Sequence, residues 1–179
     1  IREYAERPVS REELSRLLHY SAGLTDRRDP TFAFRAMPSS GALYPIEVYL
    51  VVFDVAGVPP GAYHYEVSRH RLELLRAGDF RQDVFRAAVS QEMILRASLV
   101  LVLTGLFERV QWKYVDRSYR YLLLEAGHLG QNVYLSATAL GLAPCGIGAY
   151  FDDDFNRLLG IDGRDEAVVY LLALGVARG

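Results

Sequence analysis

Lys113 and Tyr114 stand side by side in "ERVQWKYVDRSYR" (108–120), and Lys113 is the only lysine in the 179-residue chain. A lysine amine becomes a base when desolvation disfavours its charged form, and Trp112 with Tyr114 could supply an apolar setting. A phenol beside it can donate a hydrogen bond or relay a proton. By composition alone, a solvent-facing lysine and a packing tyrosine are the favoured reading of the same step. Adjacent side chains diverge on a strand and converge only on an irregular segment, so spacing alone leaves both readings open.

Two glycine-containing turns could present backbone to a ligand. Pro38, Ser39, Ser40 and Gly41 form a tight turn whose hydroxyls and exposed N–H groups suit an oxyanion. The run lacks the Gly-x-x-x-x-Gly-Lys spacing of a nucleotide phosphate loop, and a plain turn before a strand accounts for it as well. Gly146-Ile147-Gly148 lacks the third glycine of a dinucleotide fingerprint, but its glycines let main-chain N–H groups approach a flat ligand. Cys145 has no basic neighbour in sequence and reads as core. His19, His64, His70 and His128 have no metal-ligand spacing, so no metal site is expected. Asp152–Asp154 reads as the first turn of a short helix, where carboxylates cap free N–H groups.

These residues need a frame, and hydrophobic periodicity supplies one. Ser10 and Glu13 form a capping-box pattern ahead of a helix that ends at Gly23. "IEVYLVVFDV", "SLVLVLTG" and "EAVVYLLALG" predict strands buried on both faces, and "GAYHYEV" and "RLELLRAG" two strands joined near Ser68–His70. "DFRQDVFRAAV" predicts a short helix. From Ser118 to Leu140, apolar residues recur every three or four positions, which predicts one long helix capped by Gly141. Between them, "TDRRDPTFAFRAMPSSGALYP" is too long for a plain connector, and Phe32, Phe34, Met37 and Leu43 argue for an ordered, functional loop. The expectation is one α+β domain over residues 1–179.

A net charge of −2 leaves no broad basic surface, so neither nucleic acid nor a membrane is expected as a partner. One cysteine excludes an internal disulfide and suits a cytoplasmic location. No apolar run is long enough to span a bilayer. The opening at Ile1 rather than Met suggests a chain cleaved or excised from something longer.

Taken in order, "REYAERPVSREELSRLL", "PSSGALYPIEVYLVV", "KYVDRSYRYLLLEAGHLGQNVYLSATALGLAPCGIGAY" and "VVYLLALG" resemble the FMN-dependent nitroreductase family. The chain is most similar to the SagB-type branch, which includes azoline dehydrogenases. The resemblance implies an α+β nitroreductase-like fold: a central mixed, mainly antiparallel sheet flanked by helices, with the long helix at a homodimer interface that holds FMN. It implies that Arg2 pairs with the FMN phosphate and that Pro38, Ser39, Ser40 and Gly41 line the flavin of the partner subunit. Gly146 and Ile147 would offer N–H groups to the ring, and Gln131 with Asn132 matches the family's pair on the central helix. Lys113 and Tyr114 would perform acid–base work in oxidising a thiazoline or oxazoline to an azole, on a peptide or small-molecule substrate and alongside biosynthetic partner enzymes. The family's earlier opening arginine and serine would lie upstream of Ile1, and its basic tail is reduced to Arg178. A generic NAD(P)H nitro- or quinone reductase and a non-catalytic flavin-fold scaffold are the alternatives.

Overall fold

Helix α1 (Arg11–Ala22) follows the two-residue strand β1 (Val9–Ser10), and it opens as the Ser10–Glu13 spacing predicts. The Ser10 hydroxyl accepts the Glu13 N–H at 3.1 Å, and the Glu13 carboxylate accepts the Ser10 N–H at 2.8 Å. At its other end the Gly23 N–H donates to the His19 carbonyl. This is a computed structural model, and it describes residues 3–26 and 33–178. Past α1, β2 (Leu24–Asp26) and β3 (Phe34–Arg35) pair antiparallel across the long loop.

The frame is a six-stranded sheet. Its members are β4 (Ile46–Val52), β6 (Gly61–Glu66) and β7 (Arg71–Ala77), then β8 (Leu99–Leu106), β9 (Leu142–Ile147) and β10 (Glu166–Val176). The strand order is β7-β6-β4-β8-β10-β9, and every neighbouring pair is antiparallel. Among the described residues, the parallel component of the expected mixed sheet is confined to β1 against β5 (Val55–Ala56).

Continuous apolar strands are what a sheet covered on both faces requires. Leu99, Leu101 and Leu103 of β8 enter one core, with α1 and α4 (Ser118–Ala139). Val100 and Val102 enter the other, with α2 (Arg81–Ala87) and α5 (Asp152–Leu159). Helix α4 buries Leu122, Ala126, Leu129, Val133 and Ala137 at the predicted helical interval. A Cβ at Gly105 would fall 2.7 Å from the Leu122 side chain, so the glycine lets α4 seat closely on β8.

Two local expectations change. Residues 108–114, to which the apolar periodicity assigns no element, form a helix, α3 (Glu108–Tyr114). Asp152–Asp154 occupy the first turn of α5, but none of them caps it through a side-chain hydrogen bond. Among the described helices, none is long and apolar enough to cross a membrane.

Candidate active site

Helix α3 ends one residue after Lys113, and its last turn brings Lys113 and Tyr114 to the 38–41 loop. Gly41 is the contact point. It sits at φ +66°, a conformation that side chains strain to adopt. A Cβ there would fall 2.5 Å from the Lys113 Nζ and 2.8 Å from the Tyr114 Oη. Both polar tips therefore converge over a turn that only glycine leaves open. The Lys113 Nζ stands 5.5 Å from the Tyr114 ring centroid, and that ring packs on Tyr121 at 4.6 Å.

The backbone around this point is strained. Ala42 (φ 54°), Tyr44 (φ 48°) and Val115 (φ 46°) flank the contact in left-handed conformations. Each costs on the order of 1–3 kcal/mol and persists only where surrounding structure holds it. Tyr44 shows how. Its N–H donates to the Ser39 Oγ at 2.8 Å, its Oη accepts the Arg35 N–H at 3.1 Å, and its carbonyl accepts Arg109 at 2.8 Å. The Arg35 guanidinium lies over its ring.

Beneath the loop is a charged network that sequence reasoning did not anticipate. Glu47 accepts Arg109 at 2.5 Å and pairs with His64 at 3.0 Å. Burial alone would raise the Glu47 carboxyl. The His64 hydrogen bond and the Arg109 and Arg35 charges overcome burial and hold it below its usual range. His64 is raised chiefly by that same bond. Glu125, on the buried stripe of α4, is 1% exposed, and burial lifts its carboxyl to about 7.

The expected ligand residues divide. Of Pro38–Gly41, expected to line a flavin, Gly41 lies against Lys113 and Tyr114 of its own chain. Gly146 is placed on edge strand β9, but its N–H already donates to the Tyr134 hydroxyl at 2.7 Å. A Cβ at Gly146 would run into the Tyr170 hydroxyl, so the glycine admits a tyrosine of its own chain. Ile147 is buried and paired with Leu171. Gln131 is exposed on α4. Asn132 donates to the Ser21 and Ala36 carbonyls, tying α4 to α1 and to the loop. Arg2 lies outside the described residues. The apolar cover expected from Trp112 is not built, because the indole is 71% exposed. Among the described residues no group of three His, Cys, Asp or Glu side chains could hold a metal ion.

Glu125 carried a signal in the sequence, as a carboxylate on the 122–126–129–133 apolar stripe. Tyr134 and Tyr170 carried none, because their meeting depends on how β10 and α4 pack.

Comparison with known proteins extends the geometry. A protein of Methanocaldococcus jannaschii named as a nitroreductase is 39% identical over 161 residues, covering 90% of this chain and 79% of its own. The microcin B17-processing protein McbC of Escherichia coli is 31% identical over 155 residues, covering 82% of this chain and 56% of its own. The chain thus spans little more than half of McbC. A chain in the structure of the E. coli microcin synthetase McbBCD complex with truncated pro-MccB17 bound superposes with a TM-score of 0.85 at 27% identity. That match covers 98% of this chain and 67% of the other. The nitroreductase family model matches residues 1–176. The antiparallel sheet, the long α4 and this match agree: the chain has the nitroreductase-like α+β fold and belongs to the nitroreductase family.

Proposed function

We propose that the chain is an FMN-dependent oxidoreductase of the SagB type that oxidises thiazoline or oxazoline rings to azoles in peptide natural-product biosynthesis. The observation that carries this reading is the convergence of the Lys113 Nζ and the Tyr114 Oη on the Gly41 turn. The similarity to McbC, a microcin-processing protein, and to a chain of the McbBCD complex supports a peptide-modifying role alongside partner enzymes. Residues 1–179 would serve as one flavin-binding domain, working as a cytoplasmic homodimer.

The residues suit a flat cofactor. Gly41 is exposed and carries no side chain, so the turn it shares with Pro38, Ser39 and Ser40 presents bare backbone beside the Lys113 Nζ and the Tyr114 Oη. Arg2 would meet the phosphate, and Gly146, Ile147 and Gln131 would border the ring from across the dimer. Bound FMN would supply the acceptor for the hydride that leaves the azoline ring. Lys113 takes the proton from the neighbouring ring carbon, and the electron pair of that C–H bond becomes the new double bond. Tyr114 holds the substrate heteroatom by its hydroxyl and orients the proton toward Lys113. The exposed Trp112 and Lys113 are covered when the partner subunit or substrate arrives, which excludes water from the amine.

Lys113→Ala should retain FMN, seen in the visible spectrum, and lose azoline oxidation by at least about a hundredfold. Undiminished oxidation would remove Lys113 as the base. The similarity to the archaeal nitroreductase-named protein favours a second reading, a generic NAD(P)H reductase. It would consume NAD(P)H with a nitroaromatic or quinone and leave Lys113→Ala active. A protein that stays colourless after FMN addition would instead act as a scaffold.

A further inference from the structure

The reaction proposed above leaves Glu125 without a task. Its side chain is buried on α4, and neither carboxylate oxygen has a hydrogen-bond partner among the described residues. A buried polar group in that condition destabilises the fold unless something engages it. Two groups of the 38–41 loop approach it, the Ser39 hydroxyl and the Ser40 N–H, and both favour its ionised form. The Ser39 Oγ already accepts the Tyr44 N–H. Its own proton is therefore left to donate, and Glu125 is the acceptor it approaches.

The charged surroundings are sparse. Arg35 on β3 acts on Glu125 from a distance, and its buried Nη1 is likewise unpartnered. Packed against α4, the buried face of α1 carries Leu14, Leu17, Leu18, Ser21 and Ala22, with no titratable group. Tyr121 and His128 lie about one turn to either side on α4, and Lys113 and Tyr114 lie beyond the loop.

We infer that Glu125 is a positioning residue whose ionised carboxylate draws down the Ser39 hydroxyl and the Ser40 N–H, and so sets the Gly41 turn against Lys113 and Tyr114. When protonated, Glu125 accepts more weakly and the turn loosens. The lock closes as pH rises through neutrality, because burial places the carboxyl near 7. The effect on flavin rests on the FMN reading; the effect on the loop belongs to the chain alone.

Two measurements separate these. Amide hydrogen exchange of residues 39–44 in flavin-free protein, corrected for the intrinsic pH dependence, reads the loop. FMN titration by quenching of flavin fluorescence reads the ligand. Between pH 6 and pH 8, protection at Ser40 and Gly41 should rise about tenfold more in the wild type than in Glu125→Gln. FMN affinity should show the same excess. Ser39→Ala should hold protection at pH 8 near its pH 6 level, which tests the inference independently should Glu125→Gln fold poorly. Equal pH responses in wild type and Glu125→Gln overturn the inference, even where FMN binds. A pH-dependent loop that never binds FMN upholds it and removes the FMN reading instead.

Discussion

Glu125 and Glu13 are both glutamates on helices, yet burial and pairing drive them in opposite directions. Burial raises the Glu125 carboxyl from 4.5 to about 7. The folded chain thus keeps a proton that the unfolded chain releases at 4.5. The associated stability is fully present below 4.5 and is lost as pH rises through about 7. Glu125→Gln cannot titrate, so its stability relative to wild type should improve between pH 4 and pH 8 by about 3 kcal/mol. Urea denaturation at the two pH values measures the difference, and a constant offset would place the carboxylate in a solvated position. At this scale the sequence was informative where residue types were unusual. The lone lysine beside a tyrosine drew attention to the 113–114 step, and the structure brings both tips to Gly41. The sheltering role expected of Trp112 is not built among the described residues, because an indole's surroundings depend on what packs over it, and Trp112 is left 71% exposed.

Elements were legible wherever their signals are local. The capping box needs four residues and one turn, so α1 could be placed from Ser10 and Glu13 directly. The Arg7 guanidinium, hydrogen-bonded to Glu13, holds that carboxyl down at about 2. A depressed carboxyl contributes stability above its unfolded value of 4.5, lost as pH falls toward 2. Glu13→Gln should therefore lower Tm at pH 7, with a loss of about 1 kcal/mol for the weakened cap, and converge on the wild type toward pH 2. Thermal melts across that range check it. Helix α3 was harder to read. It has seven residues, crowded with charges and aromatics, and it ends at Val115 in a left-handed conformation that no β-branched residue prefers. Packing against α4 and the 38–44 loop holds it, and that information lies far away in sequence.

The whole molecule leaves α4 half covered. Its inner stripe fills the core, while Leu124, Gly127, His128, Gln131 and Leu135 form an outer stripe at helical spacing. Leu124 and Leu135 are more than half exposed, and nothing lies within 4 Å of a Cβ at Gly127. A small residue between two leucines allows close approach of a second helix, which fits the proposed homodimer. Leu135→Glu would place a charge in that contact. It should yield a monomer by size-exclusion chromatography with light scattering, still folded by circular dichroism, and with FMN binding lost if the flavin site spans both subunits. An unchanged dimer would move the interface elsewhere.

The sequence by itself determined helices α1 and α4, the two-faced burial of the central strands and the family, because each is written in short-range periodicity or in contiguous motifs. Tertiary structure alone decided that the Pro38–Gly41 turn meets Lys113 and Tyr114 within one chain, that Tyr134 occupies the Gly146 N–H, and that Glu125 lies orphaned beneath the loop. Each of these joins residues separated by at least a dozen positions. Only the packing of helices on the antiparallel sheet brings them to the same few ångströms.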